Sequence, residues 1–419
     1  MTSPITPESA TGDAVYKWTD FGASKQGFTY GPFKYQVIPQ EEITAKLKLL
    51  ANVTEHPETN ITSVNLQPCL FEGAQSQDRK AIYAWPLKNG VWKFIAVLDG
   101  HGGHDTVDFT AEDLPRRVKG KLEELLLTEE VQTYPEAVLS ALEQAILEVD
   151  NQLITDLLNL FPGGLDGLHT LSQEEIDKII NDGGERLKKV HRCMRGTTVL
   201  VALIDPTGEN LWIANLGDCE ALLGTPSQSN VWKTFRITKN HGGNDPEEVQ
   251  RIQAEHPGEE ECILNNRVLG AIAVTRAIGD VTFKLHNIVT QKVFLAARPG
   301  FTINSKIEAW LPRNITPPYL SNKADVTHHK IQKDLVSKTA SFLLMYSDGL
   351  IDPRVNEGEP AREQWVNVAG NAIREGKNPA FEVLKDVLGG EDNERVSQYL
   401  TVECTDKWMD DITVAVVQL

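Results

Sequence analysis

The sequence predicts an α+β fold built as one large domain of 419 residues. Apolar strand-like runs alternate with helical stretches throughout its length. One helical stretch carries a continuous apolar stripe, and neither an internal repeat nor a Gly/Ser linker divides the chain. Residues 1–30 are polar, with Pro, Ser, Thr and Gly scattered through them, and read as a loosely ordered lead-in to a domain over 31–419.

Ala81 to Trp85, a turn at Asn89-Gly90 and Val91 to Leu98 read as a β-hairpin, because Asn-Gly favours the tight turn that matches strand twist. The second strand runs straight into Asp99-Gly100-His101-Gly102-Gly103. Residues 105–160 are helical, with Val138, Leu142, Ile146, Val149 and Leu153 at steps of three to four. A Gly-rich and charged stretch over 162–195 reads as a surface insertion. Strands are expected at Thr197–Ile204, Asn210–Ala214, Glu220–Leu223, Phe342–Tyr346 and Thr413–Val417. Pro246–Glu255 reads as a helix with Pro at its first turn, and Arg362–Glu375 and Ala380–Leu388 as two more. Around 281–325 the chain is irregular and proline-bearing, a second insertion.

Composition narrows the function. The 59 acidic against 41 basic residues give a formal net charge of −18, which repels nucleic-acid phosphates and anionic lipid. Neither nucleic acid nor membrane is an expected partner, and no apolar run approaches the ~18 residues of a span. The five cysteines are scattered, without CxxC spacing, so no disulfide framework or thiolate zinc site is indicated. The N-terminus lacks a secretory h-region and the Arg-rich character of a transit peptide, so the cytoplasm is the expected compartment; a monomer is expected.

The informative feature is the placement of aspartates. Asp99, Asp218, Asp348 and Asp410 each lie where an apolar strand ends or is about to begin, and three of them adjoin glycine. Loops on a rigid sheet are where functional side chains concentrate. One such Asp-Gly is ordinary turn chemistry. Several in one chain suggest a common cation site, because clustered buried carboxylates are costly unless cations compensate them. Hard ions such as Mg²⁺ and Mn²⁺ take this kind of all-oxygen shell.

The segments Asp99-Gly100-His101-Gly102-Gly103, Asn215-Leu216-Gly217-Asp218, Arg276-Ala277-Ile278-Gly279-Asp280, Ser347-Asp348-Gly349 and Asp410-Asp411-Ile412-Thr413 together resemble the ordered motif set of the metal-dependent protein phosphatase 2C family. The stretch from Pro246 to Pro257 and the run Thr316 to Lys330 resemble its pyruvate dehydrogenase phosphatase branch. The resemblance implies a four-layer α-β-β-α sandwich of two antiparallel sheets flanked by helices. It implies two Mg²⁺ or Mn²⁺ ions, with a third bound more weakly, and a serine/threonine phosphatase acting on phosphorylated proteins. Asp99 would bridge the metals and Gly100 would offer its carbonyl. Asp348 and Asp410 would complete one shell, and Asp78 would act through water. Asp218 and Asp352 match ligands of the third ion, and His101 matches the proton donor. Arg276 and Asp280 are expected to brace their loop through an ion pair. The branch also suggests the mitochondrial matrix as an alternative compartment.

Three positions depart from the family's pattern. Gln77 stands where many members have Glu, Gly73 where many have a phosphate-gripping Arg, and Cys219 where Ser is common. Cys219 is expected to be a buried, inert thiol. Two other readings stay open: a pseudophosphatase serving as a binding module, and the same chemistry on a small phosphorylated metabolite.

Overall fold

The computed structural model describes residues 15–19, 32–69, 75–127, 134–227, 231–301, 307–331, 340–351, 358–404 and 407–419. Two antiparallel sheets form its centre. The five-stranded sheet runs in the order Asp325–Lys330, Asn210–Leu216, Val199–Ile204, Gly90–Leu98, Arg79–Leu87. The six-stranded sheet runs Trp232–Arg236, Glu220–Pro226, Phe342–Tyr346, Ile412–Gln418, Ile61–Leu66, Thr54–His56.

Side-chain alternation decides the layering. Ile95 and Val97 join Leu200, Ala202, Leu343, Met345, Ala415 and Val417 in the layer between the sheets. Their neighbours Phe94, Ala96 and Leu98 point the other way, into a second core with the flanking helices. Leu344 and Tyr346 do the same on the six-stranded sheet. Because successive residues face opposite sides of a strand, a strand buried on both faces must be apolar throughout. That is why Val199–Ile204 is a continuous apolar run.

Helices Asp105–Leu127, Tyr134–Leu158 and Glu185–Met194 cover the five-stranded sheet. Helices Gln40–Leu50, Gly358–Glu375, Pro379–Leu388 and Asn393–Thr401 cover the other. The four-layer sandwich is thus the observed fold. A smaller core lies beside it, built from Ile252 of helix Pro246–Glu255 with Leu269, Phe283, Trp310 and Tyr319.

Three segments are more ordered than the sequence suggested. Val15–Thr19, within the lead-in, pairs antiparallel with Phe33–Val37. In 162–195, helices Gln173–Ile180 and Glu185–Met194 bury Ile176, Ile180, Val190, Cys193 and Met194 in the helix-facing core. Those residues have helical spacing, but the glycines between the helices make the segment read as loop. The irregular 281–325 region contains single helical turns and ends where the edge strand Asp325–Lys330 begins.

Ile95 is fully buried between the sheets. Ile95→Ala should lower unfolding free energy by about 2–5 kcal/mol in urea titration. An unchanged denaturant slope would show that the denatured state is unaltered.

Candidate metal centre

The carboxylates meet where the chain passes between the sheets. Asp99 follows Gly90–Leu98 of the five-stranded sheet, and Asp348 follows Phe342–Tyr346 of the six-stranded one. Asp218 lies in the turn that leaves Asn210–Leu216 for Glu220–Pro226, and so carries the chain from one sheet to the other. Asp99, Asp218 and Asp348 each place a carboxylate oxygen within 4.8 Å of the others.

Two more predicted residues border this group. Asp78 is 2% exposed. Ser347 Oγ donates to its Oδ2 at 2.6 Å, while its Oδ1 has no hydrogen-bond partner among the described residues. Asp410 Oδ1 accepts from Lys407 Nζ at 3.0 Å and from the Asp411 amide at 2.9 Å. The glycine after Asp348 is needed for close approach, since a Cβ on Gly349 would lie 2.0 Å from the Asp411 carbonyl oxygen. Gly100 pairs through the backbone with Thr197. Asp352 and Gly73 lie outside the described residues.

The crowding is visible in proton affinities. Burial holds the Asp99 carboxyl well above the usual carboxylate range, and the charges of Asp348, Asp78, Asp410 and Asp218 push it further. Burial and then Asp411 do the same to Asp78, against the opposing Ser347 hydrogen bond. Burial raises Asp218 to about 6. These are carboxylates short of positive charge, with an orphaned buried oxygen at Asp78. An all-oxygen donor set in that condition fits a hard divalent cation.

His101 sits at the rim. Short strands Gly100–His101, Gly196–Thr197 and Ile278–Gly279 pair side by side, which sets Gly196 between His101 and Gly279. Asp280, the next residue, thereby reaches His101, with 2.6 Å between His101 Nε2 and Asp280 Oδ2. Burial works to lower the His101 pKa, but the Asp280 charge and hydrogen bond outweigh it, so the net shift is upward.

Several residues have roles that the sequence did not reveal. Asp280 orients His101 and is not a partner of Arg276. Arg276 does brace through ion pairs, but with Glu248 at 2.5 Å and Asp325 at 2.9 Å. The signal for Asp280 was its place in a recognisable motif; its partner is nearly two hundred residues away and could not be read locally. Asp411 is 3% exposed and accepts from Gln67 Nε2, the Gln77 amide and Lys407, so it anchors the loop that presents Asp410. Gln77 itself turns its Oε1 to the Gly103 amide at 3.2 Å, capping the turn after His101. Cys219 is fully buried, 3.2 Å from Thr198 Oγ1, and burial pushes its thiol pKa well up, as expected of an inert thiol.

With this geometry in hand, comparison with known proteins gives a consistent answer. Residues 154–357 match the family model described as protein phosphatase 2C. The matched stretch is just under half of the chain. It is 24% identical over 378 residues to a protein phosphatase 2C homolog of Schizosaccharomyces pombe, spanning 84% of this chain and 77% of that relative. It is 25% identical over 407 residues to the mitochondrial pyruvate dehydrogenase (acetyl-transferring) phosphatase 2 of Homo sapiens, spanning 81% and 75%. The crystal structure of a serine-threonine phosphatase 2C from Toxoplasma gondii superposes with a TM-score of 0.53 at 15% identity, covering 87% of this chain and 96% of that one, and so shares its fold. The description of the matched family names a protein phosphatase, a class of hydrolase. No helix among the described residues is long and apolar enough to cross a membrane.

The charge crowding has a measurable consequence. A carboxyl whose pKa rises from 3.8 to about 6 on folding costs stability as pH climbs through that interval, and the cost is complete above it. In chelator at about pH 7.5, Asp218→Asn should therefore melt about 1–3 °C above wild type. The gap should close near pH 4, where the wild-type carboxyl is protonated, and Mn²⁺ should reverse the order at neutral pH. A variant that melts below wild type in chelator would show that the carboxylate is compensated without a cation.

Proposed function

We propose that the protein is a Mg²⁺- or Mn²⁺-dependent phosphatase that hydrolyses phosphoserine and phosphothreonine in proteins by direct attack of water. The observation that carries this reading is the meeting of Asp99, Asp218 and Asp348 within 4.8 Å at the junction of the two sheets. Asp99, Asp348, Asp410 and the Gly100 carbonyl would hold two ions, with Asp78 acting through water. Asp218 and Asp352 would serve a weaker third. Two divalent ions in such a site supply an acidified water and offset the charge of the phosphoryl group.

The protein's own groups do the rest. The carboxylates come from loops of both sheets, so the packed sandwich fixes where the ions would lie. His101 stands at the rim with its Nε2 engaged by Asp280, so its Nδ1 is the nitrogen free to hand a proton to the departing serine or threonine oxygen. Asp280 favours the protonated ring and so keeps that proton available near neutral pH. Lys407, beside Asp410 and Asp411, adds a fixed positive charge at the edge of the same site. The human relative's name specifies mitochondrial pyruvate dehydrogenase phosphatase, which supports a phosphoprotein substrate over a small metabolite.

Activity on a phosphopeptide should require added Mg²⁺ or Mn²⁺ and vanish in EDTA. Asp99→Asn and Asp348→Asn should each lower kcat by at least about 100-fold with the fold intact by circular dichroism. Full turnover in chelator would sink the metal reading. An absence of turnover in wild type under every metal condition would instead favour a pseudophosphatase.

His101→Gln should slow a phosphoserine peptide by roughly 10²–10³-fold, and an aryl phosphate, whose leaving oxygen needs less protonation, by less than about tenfold. Equal losses on both substrates would assign His101 to ordering the site and not to proton transfer.

A further inference from the structure

Outside the carboxylate group, one buried histidine commits every polar atom to hydrogen bonding, and half of these bonds go to a single glycine. His241 is 1% exposed. Its backbone amide donates to the Gly217 carbonyl at 3.0 Å, and the Gly217 amide donates to its Nδ1 at 3.1 Å. Its carbonyl accepts from the Thr275 amide at 2.8 Å. Its Nε2 lies 3.2 Å from Asp325 Oδ2.

The tautomer follows from these contacts. A backbone N–H can only donate, so Nδ1 must present a lone pair to Gly217 and the proton must reside on Nε2. That proton points at Asp325, whose other oxygen accepts from Arg276 Nη1 at 2.9 Å. Arg276 is held in turn by Glu248, which also takes a hydrogen bond from Thr275 Oγ1 at 2.6 Å. The chain of contacts runs from helix Pro246–Glu255 through Arg276 and Asp325 to His241, and ends on the Gly217 amide. Histidine ligands of metals are oriented by partners arranged in this way; here the histidine itself is the partner, and what it orients is a backbone turn.

Gly217 is where position matters most. Its φ of +116° is open only to glycine, and a Cβ there would come within 2.5 Å of the Thr198 side chain. Thr198 in turn pins Asp99: its amide donates to the Asp99 carbonyl at 2.8 Å, and its Oγ1 accepts from the Asp99 amide at 3.3 Å. The glycine that His241 grips from one side therefore rests on the residue that fixes Asp99 from the other. Asp218, the next residue, is placed relative to Asp99 by this stack.

We propose that His241 is a positioning residue of the carboxylate centre: by accepting the Gly217 N–H at Nδ1, it holds the Gly217–Asp218 turn where Asp218 meets Asp99 and Asp348. Asp325 and Arg276 keep the histidine in the required tautomer. The consequence for cation binding rests on the metal reading above; the clamp on the turn does not.

Three variants separate this role from simple core packing. In His241→Asn the side-chain oxygen can stand near the place of Nδ1 and still accept from Gly217, whereas His241→Gln puts its polar end nearer Asp325 and His241→Ala offers nothing. In Mn²⁺ titration calorimetry, His241→Ala and His241→Gln should weaken binding roughly 10–100-fold, with His241→Asn within about threefold of wild type. In metal-free protein, deuterium exchange at the Gly217 amide should quicken at least about tenfold in Ala and Gln but not in Asn. If His241→Ala is too unstable to purify, the comparison of Asn with Gln carries the test alone. Unchanged exchange at Gly217 in His241→Gln, or equal damage from Asn and Gln, would overturn the proposal. If wild type binds no Mn²⁺ while the exchange pattern holds, the metal reading fails and the clamp stands.

Discussion

Mutual repulsion among the clustered carboxylates is the constraint around which the rest of this structure is arranged. Asp99 feels Asp348, Asp78, Asp410 and Asp218 at once, at a half-buried site that screens charge less than open water does. A chain would not hold such a group together by its own side-chain chemistry. The two sheets do so by force of packing. Asp99, Asp218 and Asp348 each follow a mostly buried strand, and the apolar layers on both faces of those strands make displacement costly. The core therefore stores the repulsion that a cation would relieve.

The loops that carry the carboxylates are tied by contacts that span the chain. Ser347 donates to Asp78 and accepts from the Thr413 amide, so three motifs meet at one hydroxyl. Asp411 gathers Gln67, Gln77 and Lys407. Thr198 joins the Asp99 loop to the Gly217 turn, and His241 closes that turn from the far side. The result is a site whose oxygens are held by the chain's own hydrogen bonds, which is what electrostatic preorganisation requires. His101 follows Asp99 and Gly100 directly, and the three short strands that include Gly100 set it against Asp280.

A division between what the sequence by itself determined and what only the tertiary structure decided follows from the range of the forces involved. Strand and helix assignments were legible wherever periodicity was strong and local: the hairpin across Asn89-Gly90, the stripe from Val138 to Leu153 and the strand Phe342–Tyr346 all stand as read. So was the trio Asp99, Asp218 and Asp348 that the fold brings together, because an acid at the end of an apolar strand is conspicuous in a linear chain. The edge strands Thr54–His56 and Asp325–Lys330 were not legible, since an edge strand needs no apolar run and is made a strand by its neighbour's hydrogen bonds. The buried helices in 162–195 were hidden for the opposite reason: glycine-rich connections masked short amphipathic segments that only the adjoining core makes stable. Partnership was invisible altogether. Nothing near Asp280 points to His101, and nothing near His241 points to Gly217 or Asp325, because a hydrogen bond is decided by atoms brought within about 3 Å whatever their separation along the chain. Residue type and local pattern supplied the chemistry; only the packed sandwich decided which groups face each other.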